Sequence, residues 1–441
     1  MTVQSKVPQL RFSEYQVANP TPSKLGDLVI MKSGGTPSKS NSEFWEGTIP
    51  WISASSMKGN VFSKSERNIT SLALKKGAKI ALKGSLLLLV RGSMLYNKVP
   101  IGFAGKDVAF NQDVKAINLK SGEDNSYIFY WFKASEHKLL NMVTGTGIGA
   151  GKLDTDELLN MSICQPTIPE QKKITSFLAK VDKKITLLTE KKSKLTEYKK
   201  GVMQQLFKGR FEKNSEGDKT TFIPPILRFK ADDGSDFSDW QEKKFSDCFD
   251  FFTTNSLSRD KLSYAEGDVK NIHYGDFHTK FRPIFKLERE YVPYISNKID
   301  TVKIKAECYC KDGDLVFADA SEDYADIGKC IEISELQNAK LVSGLHTHLA
   351  RPREKFATGY QTYLQKSWQM RYQIMRIAQG SKVLGISIKQ LANIVLPVPC
   401  VAEQEKIASF IISLDNKIEV ISFELEKTKE WKKGLLQQMF V

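Results

Sequence analysis

The sequence predicts an α+β protein built from two tandem copies of one unit, each a globular module followed by a long helix. Three observations lead to this prediction. A long segment of the sequence recurs, both recurring segments carry coiled-coil apolar spacing, and the stretches between them contain many short candidate strands. The 441 residues exceed one ordinary domain, and the 41% hydrophobic content is sufficient for buried cores.

The recurring segment covers residues 170–207 and 403–440 at a constant offset of 233, without a gap. Of its 38 positions, 17 are identical in the two copies. A shorter repeat opens each copy, where Pro8–Phe12 (PQLRF) resembles Pro225–Phe229 (PILRF). A gapless match of this length indicates an internal duplication.

Each recurring segment is predicted to be a helix, because Pro169 and Glu170 are favourable residues at a helix start. Apolar residues then follow a 4-3 spacing that predicts the seam of a coiled coil. The seam residues are Ile174, Leu178, Val181, Ile185 and Leu188 in the first copy, and Ile407, Ile411, Leu414, Ile418 and Ile421 in the second.

The charges of the two helices favour pairing of one helix with the other. Residues 170–213 carry a net charge of +8, whereas residues 403–441 carry −1. Such unlike charges favour a pair of unlike copies over a pair of like ones. The alternative is two independent amphipathic helices, each packed on its own module.

Composition predicts a basic, intracellular protein without a membrane segment. The net charge is +14 and the pI is about 9.2, which suits a polyanionic partner, although such a surplus also serves solubility. The sequence has no apolar run of about 18 residues and opens without the apolar stretch of a signal peptide. Its six cysteines are scattered, as expected for reduced thiols in the cytoplasm.

The modules between the helices have similar size and position but little common sequence. Both read as mixed α/β, with strands such as Lys79–Val90 and Asp314–Ala318 and with helices near Tyr127–Leu140 and Gly359–Ile377. Duplicated domains that recognise two different ligands are expected to share a backbone framework and to differ in their side chains. The predicted domains are a first module at 1–160, a helical spacer at 161–215, a second module at 216–395 and a C-terminal helical spacer at 396–441.

Several motifs together resemble one known family across essentially the whole chain. They are the two PxLRF openings, Gly34–Ser38 followed by Phe44–Trp51, the two Pro-x-x-x-Glu-Gln-x-Lys-Ile helix starts, and the helix ends 199–207 and 432–440. In this combination the chain resembles the specificity (S) subunit of type I restriction–modification enzymes. The resemblance implies two target recognition domains, each reading one half of a split DNA sequence. It also implies two long helices in an antiparallel coiled coil that spaces the domains and docks methyltransferase subunits.

The resemblance further implies a non-catalytic subunit of an endonuclease and adenine-specific DNA methyltransferase complex. Its expected partners are double-stranded DNA, two methyltransferase subunits and motor-nuclease subunits. S-adenosylmethionine, ATP and Mg²⁺ are expected on those partner subunits, and this chain is expected to bind no cofactor. Two alternatives stay open: a basic coiled-coil scaffold without sequence-specific DNA reading, and an enzyme whose active site has no recognisable motif.

Candidate DNA contacts are polar or charged residues in loop-like stretches beside strands, where amide side chains suit adenine edges and arginine suits guanine. In the first module they are Thr36, Ser38, Lys39, Ser53, Ser55, Arg91, Ser93, Tyr96, Asn111 and Gln112. In the second module they are Tyr274, Asp276, His278, Lys280, Arg282, Ser321, Glu322, His346 and His348.

Two other motifs do not meet the requirements of the sites that they resemble. Gly145–Lys152 resembles a phosphate loop, but its first glycine is misplaced and Leu153 stands where Ser or Thr should bind magnesium. Cys308-x-Cys310 and His346-x-His348 could place two ligand pairs on strand faces, but no CxxC spacing supports zinc, and no metal site is predicted.

Overall fold

The computed structural model describes residues 7–17, 19–120, 122, 124–147, 149–213, 220–277 and 281–440. It forms two compact units. Unit 1 comprises residues 1–189 with 423–441, and unit 2 comprises residues 190–422. The units divide both long helices, whereas the boundaries drawn from the sequence treat each helix as a separate segment; those boundaries stay a prediction.

Unit 1 is a mixed module of short strands and helices. Its strands are β1 (Thr21–Lys24), β2 (Val29–Ser33), β3 (Trp45–Ile52), β4 (Val61–Phe62), β5 (Asn68–Ile69), β6 (Ile80–Ala81), β7 (Leu86–Leu89), β8 (Arg91–Gly92), β9 (Ile101–Ala104), β10 (Val108–Phe110), β11 (Val114–Leu119), β12 (Thr144–Gly145), β13 (Gly151–Lys152) and β14 (Ser162–Gln165). Its helices are α1 (Leu25–Leu28), α2 (Ser71–Lys75), α3 (Asn125–Ala134), α4 (Glu136–Asn141), α5 (Thr155–Leu159) and the first part of α6 (Ile168–Leu206).

Unit 2 has the same kinds of element. Its strands are β15 (Arg210–Lys213), β16 (Thr220–Ile223), β17 (Gln241–Lys244), β18 (Phe249–Phe252), β19 (Leu262–Ser263), β20 (Lys270–Ile272), β21 (Ile284–Lys286), β22 (Tyr294–Ile295), β23 (Leu315–Ala318), β24 (Ala320–Ser321), β25 (Cys330–Ser334), β26 (Leu341–Ser343), β27 (Thr347–Pro352), β28 (Leu384–Gly385) and β29 (Val395–Val398). Its helices are α7 (Phe245–Cys248), α8 (Tyr274–Phe277), α9 (Tyr360–Gln365), α10 (Trp368–Ile377), α11 (Ile388–Leu391) and most of α12 (Val401–Met439).

The strand order repeats even where the sequence does not. Unit 1 has a five-stranded sheet of order β2-β11-β7-β9-β4, and unit 2 has one of order β18-β27-β23-β25-β21. In each sheet the last pair is parallel and the others are antiparallel. Each unit also has a second sheet with one parallel pair, β3 with β10 and β20 with β26, and a two-stranded sheet, β1 with β14 and β17 with β29. The duplication therefore covers both modules.

Three predicted stretches are divided in the structure, and one of them is Gly359–Ile377, which forms α9 and α10 on either side of the buried Ser367. The predicted strand Lys79–Val90 is β6 and β7, which belong to different sheets, because Gly84 adopts a left-handed backbone (φ 87°) in the turn between them. The predicted helical stretch Tyr127–Leu140 is α3 and α4, which meet at the buried Ser135.

The long helices run antiparallel and pack both on each other and on the modules. In unit 1, Asp182 from α6 pairs with Lys432 near the end of α12. In unit 2, Lys199 near the end of α6 pairs with Asp415 from the first half of α12. Of the ten predicted seam residues, eight are buried, and Ile185 and Ile418 are partly buried. Over the described part of the chain, no helix is both long and apolar enough to span a membrane.

Candidate nucleic-acid interface

The PxLRF openings bind the N-termini of the long helices. Arg11 donates from Nε and Nη2 to the Glu170 carboxylate, at 2.8 and 2.7 Å. Arg228 makes the same pair of bonds to Glu403, at 2.9 and 2.7 Å. Both carboxylates are buried, at 1% and 0% exposure, and pairing with them raises the pKa of each arginine. Two-point contacts of this kind fix orientation as well as distance, so each opening motif holds its module on its helix.

A second pair of matching contacts joins the modules to the middle of the helices. Tyr130 donates to Asp182 Oδ2 at 2.8 Å, and Tyr363 donates to Asp415 Oδ2 at 2.7 Å. The other oxygen of each aspartate binds the lysine of the opposite helix, Lys432 or Lys199. Burial, followed by the nearby aspartate, raises the pKa of both tyrosines.

These tyrosines reveal part of the repeat that sequence reasoning missed. Tyr127 and Tyr130 lie 233 positions before Tyr360 and Tyr363, the same offset as the helices. Tyr127 donates to the Cys164 carbonyl at 2.7 Å, and Tyr360 donates to the Pro397 carbonyl at 3.0 Å. The signal was present in the sequence as a repeated Tyr-x-x-Tyr, and the structure shows that the shared residues build the frame.

The predicted contacts of the first module gather at one end of its parallel strand pair. Since β3 and β10 run parallel, their carboxyl ends meet at the same edge, where the Asn111 amide donates to the Ile52 carbonyl at 3.0 Å. The Gly35 amide donates to the Phe110 carbonyl at 2.9 Å. A Cβ on Gly34 would lie 2.2 Å from that same carbonyl oxygen, so only glycine fits there. We call residues 34–39, 53–55, 91–96 and 111–112 the first edge.

The first edge presents a mixture of exposed polar groups. Thr36 donates to Gln112 Oε1 at 2.6 Å, and the hydroxyls of Ser53 and Ser55 lie 3.2 Å apart. Arg91 is exposed and stands opposite Lys152 in the pairing of β8 with β13. The remaining predicted residues at this edge that are exposed are Ser38, Lys39, Ser93 and Tyr96.

Asn111 differs from the other predicted contacts at the first edge. It is 7% exposed, and its Nδ2 donates to Asp113 at 3.1 Å. Its amide side chain therefore supports the edge from inside and does not face solvent.

The second module repeats this edge with different side chains. The Gly344 amide donates to the Ile272 carbonyl at 2.9 Å, as Asn111 does to Ile52 in the first module. Tyr274 and His346 meet there edge to face, with ring centroids 5.1 Å apart. We call residues 273–276, 319–322 and 344–346 the second edge; it includes the predicted residues Ser321 and Glu322, of which Glu322 is exposed.

Three predicted contacts of the second module have partners within the chain. Asp276 is 1% exposed and accepts two bonds from Arg259, each 3.0 Å long. Arg282 pairs with Glu419 on α12 at 2.6 Å. The Nε2 of His348 lies 2.9 Å from the Ile386 carbonyl. His278 and Lys280 lie outside the described residues.

The two motifs set aside in the sequence form no site in the described regions. Gly145 and Gly151–Lys152 belong to β12 and β13, which pair with each other, and β13 also pairs with β8. The element that follows β12 is therefore a strand, whereas the strand before a phosphate loop is followed by a helix. Within the described ranges, no group of three or more His, Cys, Asp or Glu side chains is placed to hold a metal ion.

Comparison with known proteins gives a consistent result. A family model described as "Type I restriction modification DNA specificity domain" matches residues 20–197 and 237–429. The chain is 26% identical over 417 residues to the type I restriction enzyme MjaVIII specificity subunit of Methanocaldococcus jannaschii, covering 94% of this chain and 90% of that protein. It is 33% identical over 183 residues to the EcoR124I/EcoR124II specificity subunit of Escherichia coli, covering 41% of this chain and 45% of that protein.

Solved structures show the same fold. The S subunit of a type I restriction–modification system from M. genitalium superimposes with a TM-score of 0.54 at 16% identity, over 99% of both chains. A chain from a structure titled as the basis of complex assembly and conformational transition of a type I R-M system gives 0.55 at 12% identity, over 98% of both chains.

Proposed function

From the premise that this chain belongs to the type I restriction–modification DNA specificity family, with two target recognition domains, we propose that it reads a split DNA target and docks methyltransferase subunits. Each edge reads one half of the target. The chain itself performs no chemistry; two methyltransferase subunits carry S-adenosylmethionine, and motor-nuclease subunits carry ATP and Mg²⁺.

One observation carries the proposal: the two modules share a strand order and the contacts that hold it, but differ in the side chains at their edges. The first edge offers Thr36, Gln112 and Arg91, whereas the second offers Tyr274 and His346. Side chains at base edges set sequence, and cations on phosphates supply much of the affinity. Two unlike edges on one repeated frame are suited to two unlike half-sites.

The shared contacts suit a different role. The Arg–Glu and Tyr–Asp–Lys contacts occur once per copy, so the framework that joins module and helices is repeated, and we expect similar surfaces around it. Two similar surfaces fit two copies of the same partner, which supports docking of two methyltransferase subunits.

The test is reconstitution with the cognate methyltransferase, followed by mapping of methylated adenines. We expect a split motif. Replacing residues 20–160 with those of a relative should change one half only, and altering the length of 170–207 should change only the gap. A contiguous motif would refute two-part reading, and binding no tighter than about 10⁻⁴–10⁻⁶ M to any sequence would favour the scaffold alternative.

A further inference from the structure

The second edge contains a histidine in an unusual backbone conformation. His346 has φ 58°, in the left-handed region, and its side chain is 48% exposed. Residues with a Cβ adopt this backbone conformation at an energetic cost, and such residues cluster at functional sites. Histidine, asparagine and aspartate tolerate it best among residues with a Cβ.

The imidazole of His346 lies beside a carboxylate of which one oxygen has no hydrogen bond within the described residues. Its Nδ1 lies 3.3 Å from Asp319 Oδ1. That oxygen is buried, and no group in the described part of the chain makes a hydrogen bond to it with normal geometry. A buried carboxylate oxygen left in this state is costly, and the His346 imidazole, with a hydrogen on Nδ1, is the group placed to satisfy it.

The other neighbours hold the ring in place without neutralising it. Tyr274 packs edge to face against His346, and His273 stacks on Tyr274 at 4.8 Å. The His273 Nδ1 accepts from the Gly275 amide at 3.1 Å. Behind them, Arg259 is paired with the buried Asp276. Among the described residues, Asp319 is the carboxylate within ion-pair distance of the His346 ring, at 3.3 Å.

The first module has a different group at the equivalent position. His346 lies 233 positions after Asp113. The His346 carbonyl accepts from the Asp319 amide, and the Asp113 carbonyl accepts from the Val90 amide. The side chain there in the first module is a carboxylate that accepts from Asn111. The one histidine of that module, His137, lies on α4.

We propose that His346, held by Asp319 and Tyr274, reads a base edge of the second half-site by donating a hydrogen bond from Nε2 when protonated. With Nδ1 directed at Asp319, Nε2 is the ring nitrogen left to face solvent. As a donor it matches the acceptors O6 and N7 of guanine in the major groove. The inference rests on the proposed function and assigns one contact within it.

The inference predicts pH-dependent recognition of one half-site only, because with Nδ1 donating to Asp319 the Nε2 atom is a donor only in the protonated ring. The reconstituted complex should bind its mapped target about tenfold more tightly at pH 6 than at pH 8. Scrambling the second half-site should abolish this difference, whereas scrambling the first half-site should weaken binding equally at both pH values.

The decisive variant is His346→Asn, which tolerates the same backbone and can hydrogen-bond but does not titrate. It should bind with the pH 8 affinity at both pH values, and His137→Asn is the matched control that should keep the wild-type ratio. Asp319→Asn, which keeps the histidine, should reduce the ratio.

A full pH effect in His346→Asn, or one that survives scrambling of the second half-site, would overturn the inference. Failure of the proposed function looks different, because no half-site preference would then appear at any pH.

Discussion

The contact between Arg228 and Glu403 gives the sharpest test of how the modules are held. Arg228→Met removes both donors from a carboxylate that is 0% exposed and leaves it with the Trp240 Nε1 donor at 3.0 Å. A buried charge that loses its partner typically costs about 3–5 kcal/mol. For a unit of this size, 1 kcal/mol shifts Tm by about 2–4 °C, so the transition of unit 2 should fall by roughly 6–20 °C.

The assay is urea and thermal unfolding of the full chain, monitored by circular dichroism and tryptophan fluorescence. Glu403→Gln and the double variant complete a double-mutant cycle. We expect the double variant to cost less than the two single variants added together, because it leaves no buried charge. Lys230→Met is the matched control, since its partner Asp236 is exposed and the pair is worth at most about 1 kcal/mol. If Arg228→Met cost no more than this control, the reasoning would be wrong.

Three further outcomes are expected. Burial raises the pKa of Glu332 from 4.5 to about 7. The free energy of unfolding should therefore fall by about 3 kcal/mol in total as pH rises through this window. Glu332→Gln should flatten this profile, which is measured by urea unfolding at pH 5 and pH 8. Gln361 is 2% exposed, and its side-chain amide has no hydrogen-bond partner in the described structure. Gln361→Leu should therefore raise the free energy of unfolding by about 1–3 kcal/mol, and a loss of stability would contradict this. Arg91→Ala should weaken DNA binding by the reconstituted complex and reduce the slope of affinity against salt by about 1, with equal losses on target and scrambled DNA if Arg91 binds phosphate.

The duplication and the helices were predictable because both leave strong periodic signals. A gapless match and a 4-3 apolar spacing are properties of sequence alone, and the residues that carry them, such as Ile174 and Ile407, are buried. The α+β class also followed from the alternation of short apolar runs with turn residues.

The edges were harder to predict because burial and pairing depend on distant residues. Asp276 looks like a solvated loop residue until Arg259 is placed beside it, and no local pattern indicates that Arg282 pairs with Glu419. Gln361 and Gln365 occupy the positions of the core residues Ile128 and Phe132 in the first copy, and the register that shows this depends on the Tyr-x-x-Tyr match.

The composition of unit 1 has a consequence for the order in which the protein is made. The core of that unit includes Leu435, Met439 and Phe440, which pack with residues such as Tyr127 and Leu178. On the ribosome these last residues emerge only after the whole of unit 2, at a pace of about 5–20 residues per second. Unit 1 therefore cannot complete its core until residues 435–440 have been made, which is after the whole of unit 2.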